Sequence, residues 1–339
     1  MAVRLQLTVL ITVLFLGSTV VSADEPPTRV WGSSPPAALM VYAFDPGLLV
    51  GSIYPLAGPP RPMVDPRMAE LPRIGGWFGQ GRIPNLETLM EAEPDLVVVW
   101  DNLLFRDQFE DALGKLDYPA LYLDLGQTEA MPNALRQLGE RLGQTERGEQ
   151  LASYADQVLE SVREVRESLP EQERPSVYYA EGPKGLQTDC DQSFHAELIP
   201  LAGGRNVYQC EQRQHVGRET VGMEQVLAWD PDVILVFDHG FYERIGDDPR
   251  WRVLRAVKNG NVHFIPRAPF SWFDRPPSFM RLVGLPWLAQ LLHPDRYIWD
   301  AETEVPQFYS LFLRESLTAT GLRAIMDGTE LAPGPSVTR

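Results

Sequence analysis

LETLMEAEPDLVVVWDN, residues Leu86 to Asn102, returns 137 positions later as MEQVLAWDPDVILVFDH, Met223 to His239, with Glu87/Glu224, Pro94/Pro231, Asp95/Asp232, Val99/Val236 and Asp101/Asp238 in register. In each copy a helical pattern ends at an acidic residue followed by Pro-Asp, where the fixed φ and missing N–H of proline stop the helix. A run of four or five apolar residues then reads as a parallel strand buried on both faces. A helix-turn-strand unit used twice predicts two similar α/β lobes. Lobes of this kind are expected to bury little of each other, which leaves a cleft between them as the natural place for a ligand.

The length of 339 residues suits two such lobes of roughly 150 residues each. The excess of 46 acidic over 30 basic residues, a formal charge of −16, argues against nucleic acid or anionic lipid as partner. Residues 1–23 read as a secretory signal: Arg4 lies in a short basic region, Leu7 to Leu16 form the apolar stretch, and Val21-Ser22-Ala23 ends in a small-x-small cleavage pattern. No cysteine follows the apolar stretch, so a soluble periplasmic protein is expected rather than a lipid-anchored one. The two cysteines, Cys190 and Cys210, both fall in the second half. In an oxidising compartment they are expected to pair, closing a loop worth about 3 kcal/mol. Two separate thiols are the alternative, and the absence of a C-x-x-C pattern disfavours a metal site there.

Along the chain, Ala38 to Tyr42 reads as a strand after a polar leader, with Asp45-Pro46 opening a helix. The stretch Tyr54 to Arg82 carries six prolines and five glycines, too many for a regular element, and irregular loops of that length are commonly functional. Phe105 to Leu116 reads as an amphipathic helix and Ala120 to Leu125 as a strand. From Thr145 to Leu169 the apolar residues Leu151, Tyr154, Ala155, Val158, Leu159, Val162, Val165 and Leu169 recur at helical spacing. Lying between the two copies of the repeat, this segment predicts one continuous helix joining the lobes. The second lobe is expected to run through a strand at Ser176 to Ala180, a loop at Glu181 to Phe194, a helix at His195 to Leu201, the second repeat, a helix at Trp251 to Val257 and a strand at Asn261 to Ile265. The proline-rich RAPFSWFDRPP at residues 267–277 and helices at about Phe279 to Leu292 and Val305 to Thr318 follow. The predicted organisation is a signal at 1–23, lobes at 24–144 and 171–328 around a helix at 145–170, and a tail at 329–339.

GGWFGQGRIPNLETL, EPDLVVVWDN, LAGGRNV, EQVLAWDPDVILV and WRVLRAVKNGNVHFIP, in that order, resemble the periplasmic solute-binding proteins of ABC importers for ferric siderophores, cobalamin and related metal complexes. The resemblance covers essentially the whole chain after residue 23. It implies an α/β fold of two Rossmann-like lobes joined by a single long backbone helix, with the ligand cleft between the lobes. It also implies that one surface glutamate per lobe, Glu87 and Glu224 here, docks onto arginines of the membrane permease. The plainer role of such an acid in a first helical turn is to complement the helix dipole.

In open α/β sheets ligands lie outside the carboxyl ends of the strands. That rule selects Tyr42, Trp77, Gln80, Arg82, Glu181, His195, Phe270, Trp272 and Arg275 as ligand-binding candidates, with Phe78, Phe273 and Arg267 beside them. Aromatic faces together with guanidinium groups, which fork onto carboxylate or phosphate oxygens, suit a bulky anionic complex. For each aromatic the plainer reading is core packing, and for each arginine a surface ion pair. All five histidines, His195, His215, His239, His263 and His293, lie in the second half, so the first lobe offers no imidazole and a bare zinc or manganese ion is disfavoured. The expected function is capture of a ferric siderophore-type chelate and its delivery to an ABC permease by a monomer, with no cofactor of its own and no resident metal. Cobalamin, a nickel or cobalt chelate, and molybdate or tungstate are the alternatives within the class. An enzyme would need a titratable pair in the cleft, for which Glu181, Asp189 and His195 are the candidates; none of G-x-S-x-G, H-E-x-x-H or a phosphate loop occurs.

Overall fold

The computed structural model describes residues 25–77, 83–101, 106, 110–111, 114, 116–210 and 217–328. The repeated strands sit in two separate parallel sheets. In the first, β1 (Val30–Gly32), β2 (Leu96–Trp100) and β3 (Ala120–Leu123) lie in the order β1-β2-β3. The remaining strands are β4 (Ser176–Ala180), β5 (Gln187–Thr188), β6 (Arg205–Asn206), β7 (Glu219–Thr220), β8 (Val233–Val236) and β9 (Val262–Phe264). Four of them form the second sheet in the order β6-β4-β8-β9, and β5 pairs antiparallel with β7. Each copy of the repeat therefore supplies an interior strand, β2 or β8, with a parallel neighbour on either side.

The Pro-Asp punctuation does the same physical work twice. The residue before the proline ends its helix in the left-handed region, Glu93 at φ 42° and Asp230 at φ 37°. The aspartate after the proline then pins the start of the neighbouring strand. Asp95 accepts from the amides of Thr28 (2.8 Å) and Arg29 (2.9 Å), and Asp232 from the amide (2.9 Å) and hydroxyl (2.6 Å) of Ser176. Register follows from these anchors, because the amides of Asp95 and Asp232 donate back to the carbonyls of Arg29 and Ser176.

Helix α1 (Pro35–Phe44) occupies the segment expected to be a strand, and the strand itself lies earlier, within the expected leader. Ser34 caps the helix, its hydroxyl accepting from the Ala37 amide, and Pro35-Pro36 fill positions whose N–H groups need no partner. All ten residues of α1 are buried, so it lacks the polar stripe by which a helix is recognised. Gly32 is obligatory at the turn between them, since a Cβ there would lie 2.4 Å from the Ala38 Cα. Asp45-Pro46 opens only a single 3-10 turn, Pro46–Leu48.

Helix α2 (Leu86–Glu91) belongs to the first repeat, and α3 (Met131–Arg141), which no reading of the sequence above placed, packs on α4 (Thr145–Ser168) through Gly139 and Gly148. Helix α4 is the expected connector, 24 residues or about 36 Å long. Beyond it come α5 (Leu198–Leu201), α6 (Met223–Trp229) of the second repeat, α7 (His239–Ile245), α8 (Arg255–Lys258) and α9 (Arg281–Leu292). Helix α10 (Ala301–Phe308) runs into a π turn at Tyr309–Leu313, and α11 (Ala319–Met326) follows. The sequence places α5 within a longer helix, the expected Trp251 to Val257 helix is realised only as α8 at Arg255–Lys258, and α10 with its π turn ends before the expected Thr318. The expected signal (1–23), most of the Phe105 to Leu116 helix and the tail (329–339) lie outside the described residues.

The lobes bury more of each other than the repeat suggested. One apolar cluster runs from Val30, Leu96 and Val98 through α1, α3 and α4 to Val177, Tyr179, Val233 and Leu235 of the second sheet, and on to α9, Phe308 and Phe312. The outer faces of the sheets carry their own clusters, Trp31, Trp77, Leu89, Val97 and Val99 in one lobe and Tyr178, Ile234, Val236, Phe241 and Trp251 in the other. Both sheets are thus covered on both faces, as parallel sheets require, and the space left for a ligand is at their carboxyl ends. Replacing Asp95 or Asp232 by alanine leaves two strand-initiating donors without a charged acceptor, and should lower the unfolding free energy by about 1.5–3 kcal/mol in a denaturant titration. Unchanged midpoints for both variants would contradict the pinning role.

Candidate functional site

Glu181 follows β4 and is fully buried. The Arg275 guanidinium forks onto it, Nε to Oε1 at 2.5 Å and Nη2 to Oε2 at 3.2 Å, and Nη2 also reaches Asp189. Arg218 adds a second cation, its Nε donating to Glu181 Oε1 at 2.8 Å. Burial pushes Glu181 toward protonation, but the bonds from Arg275 and the nearby Arg218 charge outweigh it and hold the carboxyl below its usual range. Asp189 goes the other way, up to about 7, because burial and the adjoining Glu181 outweigh Arg275 and His195.

A second buried carboxylate, Asp274, lies between His195 Nδ1 (2.5 Å) and Arg281 Nη2 (3.3 Å). Burial raises its pKa, yet His195, Arg281 and Arg275 prevail and keep it low. Arg281 is itself almost wholly buried and donates to the carbonyls of Phe273 (3.1 Å), Phe194 (2.6 Å) and Gly126 (3.3 Å) and to Glu197 (2.6 Å). Glu197 accepts in turn from the amide and hydroxyl of Thr128. Since Gly126 and Thr128 belong to the first lobe, this chain of bonds ties the loops at the ends of the two sheets together. Removing one member of such a cluster leaves an uncompensated buried charge.

Several predicted ligand contacts are interior instead. Trp77 packs on Trp31 at 5.6 Å between centroids, within the outer core of the first sheet. The Tyr42 hydroxyl accepts from the Asp65 amide and its ring meets Phe270 edge-on. Phe270, Trp272 and Phe273 are 3%, 0% and 1% exposed; the Trp272 indole donates to the Tyr309 hydroxyl, and Phe273 lies against Tyr179. The RAPFSWFDRPP segment therefore plugs the core, locked by a backbone approach so close that a Cβ on Gly284 would fall 1.8 Å from the Trp272 carbonyl oxygen. Arg275 is committed to Glu181 and Asp189 and is not free for an anion. Phe78, Gln80, Arg82 and His215 lie outside the described residues.

At the carboxyl ends of the two interior strands stands a different set. Trp100, the last residue of β2, is half-buried and meets Phe194 of the second lobe edge-on at 5.4 Å; Phe194 lies over His195 at 4.0 Å. Phe237, directly after β8, is also half-buried, with the Arg267 guanidinium 4.4 Å from its ring centroid and Arg218 at 5.4 Å. Trp100 and Phe237 are 137 positions apart, so they are the same position of the repeat, and each interior strand runs out at an aromatic residue. Tyr54, 50% exposed, bridges the lobes by donating to the Arg275 carbonyl. Among the described residues His195 Nε2 makes no hydrogen bond while Nδ1 is held by Asp274. A separate recess beside Tyr42, Asp65, Arg67 and Arg314 contains none of these residues, and its Arg67 pairs with Asp65.

Cys190 and Cys210 are bonded to each other. Asp191 lies within metal-binding reach of both sulfurs, but a disulfide supplies no thiolate, so the three do not form a metal site. The Ser193 hydroxyl donates to Asp189 (2.9 Å) and accepts from the His195 amide, not from an imidazole, so the two side chains do not form a nucleophile and base.

A sequence profile described as periplasmic binding protein matches residues 70–269, and the chain belongs to that family. Its fold is that of the two-lobed solute-binding proteins of ABC importers. The ABC transporter solute-binding protein of Sulfurospirillum deleyianum is 39% identical, superimposes with a TM-score of 0.85, and shares 89% of this chain and 95% of its own. The high-affinity heme uptake system protein IsdE of Staphylococcus aureus is 24% identical over 60% of this chain and 70% of its own length. The molybdate periplasmic binding protein MolA of Haemophilus influenzae, solved with molybdate bound, shares the fold at a TM-score of 0.66 and 20% identity over 86% of this chain and 94% of its own. The chain is thus a substrate-binding protein of the ABC transporter class. No helix among the described residues is long and apolar enough to cross a membrane.

The raised pKa of Asp189 has a signed consequence. A folded-state value lifted from 3.8 to about 7 makes the protonated form a source of stability that is complete below about pH 4 and lost as pH rises through 7. Asp189→Asn, permanently neutral, should therefore gain stability relative to the native chain as pH rises from 4 to 8, measured by chemical unfolding at several pH values. A pH-independent difference would contradict the assignment.

Proposed function

We propose that this protein captures an anionic iron chelate of the ferric siderophore type in the gap between its lobes and delivers it to an ABC permease. The observation that carries the reading is the repeated aromatic at the strand ends, Trp100 and Phe237, with Arg267 stacked on the latter. Flat apolar faces beside guanidinium groups suit a ligand with conjugated rings and net negative charge. A small oxyanion would instead call for a closed ring of donors, and the best-placed fork, Arg275, is already neutralised by Glu181 and Asp189. His195, fixed through Nδ1 by Asp274, presents Nε2 to the cargo; a carboxylate on the far ring nitrogen is the usual support for an imidazole that meets a metal. Gln80 and Arg82 are proposed as ligand contacts from the sequence alone.

The resemblance to a heme uptake protein supports an iron complex as cargo. Lobes of residues 24–144 and 171–328 would hold it, with residues 1–23 directing export to the periplasm. Glu87 and Glu224, both exposed in the first turn of α2 and α6, would dock on the permease. The protein is read as a monomeric carrier, not an enzyme.

Thermal unfolding of the purified protein with ferric catecholates, hydroxamates and citrate, cobalamin, nickel–histidine, molybdate and tungstate tests this reading. A ferric chelate should give the largest rise in melting temperature, equivalent to about 2.7 kcal/mol at a hundredfold excess over Kd. Trp100→Ala and Arg267→Ala should each weaken that chelate by about tenfold, or about 1.4 kcal/mol. A larger shift from cobalamin, nickel–histidine or an oxyanion, or no shift from any ferric chelate, would overturn the iron assignment.

A further inference from the structure

The repeat carries one more matched feature. Leu89 in α2 and Val226 in α6 occupy the same repeat position and are fully buried, so the two helices present the same faces inward and outward. On the outward side, three residues after each glutamate, stand Met90 and Leu227, 47% and 39% exposed. These are also repeat partners, and at i, i+3 spacing each lies beside its glutamate on the helix surface. Single exposed apolar residues are ordinary on protein surfaces. Here, however, apolar character persists at a solvent-facing position although the residue itself has changed, while the next position has gone from Glu91 to Ala228. The large hydrophobic residues exposed among the described ones include Ile83 (74%) and Leu86 (40%), adjoining the first copy.

We infer that each lobe meets the permease through a two-part patch, an exposed glutamate with an exposed apolar side chain one turn later, Glu87 with Met90 and Glu224 with Leu227. The occupant is a membrane partner that offers the same socket twice, a cationic group beside an apolar depression. Its cation is called for by the carboxylates, and its duplication by the duplicated patch. The inference rests on the proposed docking of Glu87 and Glu224 and adds what gives those contacts their lifetime. Charges at an exposed rim mainly speed and orient encounter, whereas an apolar group buried at the contact slows dissociation.

The test is binding of the full protein, without added chelate, to the purified cognate permease in lipid nanodiscs. Glu87→Gln, Glu224→Gln, Met90→Ser and Leu227→Ser are compared with Ile298→Ser, a change at an 89% exposed residue away from either patch. Met90→Ser and Leu227→Ser should each weaken binding by about tenfold while melting temperatures stay unchanged. Their loss should persist at high salt, whereas that of the glutamine variants shrinks. If the glutamine variants weaken binding but the serine variants behave like Ile298→Ser, the apolar half of the patch is overturned and docking through the glutamates stands. If neither pair weakens binding, the docking reading fails and this inference with it.

Discussion

A carboxylate at the start of each repeated strand sets the geometry on which the rest depends. Asp95 accepts from the amides of Thr28 and Arg29, just ahead of β1, and Asp232 from the first amide of β4, and so they fix where β2 and β8 begin relative to their neighbours. Once register is fixed at the amino ends, the carboxyl ends are fixed too, and with them the residues that emerge there: Trp100 and Asp101 in one lobe, Phe237 and Asp238 in the other. The gap is built by the same local rule applied twice. A shift of one residue in either strand would exchange the inward and outward faces and remove its aromatic from the gap.

The buried ions serve this geometry rather than the cargo. Glu181, Asp189, Asp274 and Glu197 set against Arg275, Arg218 and Arg281 leave little uncompensated charge, and among the described residues the far edge of the His195 ring makes no hydrogen bond. Clusters of this kind contribute little net stability, because desolvation offsets most of the attraction. They do impose a single arrangement. Arg281 joins three loop carbonyls and two carboxylates across both lobes, and the shared apolar core around α1, α4 and α9 makes the gap a cut into one mass rather than a space between two loose ones. Large hinge motion would have to break both, so cargo is expected to enter a gap that is already largely formed.

Much of this was legible in the chain. The repeat placed β2 and β8 and the helices before them, helical spacing placed α4, and the pairing of Cys190 with Cys210 followed from compartment and number. Helix α1 was misread because it is buried on every side, which erases the difference between an apolar helix and an interior strand. The aromatics of residues 270–273 were misassigned for a related reason: in a segment without period nothing distinguishes a pocket wall from a plug, and only the packing of Trp272 on Gly284 and Tyr309 decides it. Arg275 looked available because its partners, Glu181 and Asp189, are some ninety residues away in sequence. Trp100 and Phe237 were within reach, since the repeat aligns them, but they share aromatic character and not identity, a weaker signal than the matched acids and prolines.

Where the metal of the cargo comes to rest decides whether the gap is the binding site. Crystals of the protein grown with the ferric chelate that stabilises it most, measured at the iron absorption edge, locate that atom independently of any assumption about the chelator. The account predicts a single strong anomalous peak between Trp100 and Phe237, within reach of His195 and Arg267. A peak on the outer face of either sheet, or one outside the gap beside Tyr42 and Arg314, would contradict it.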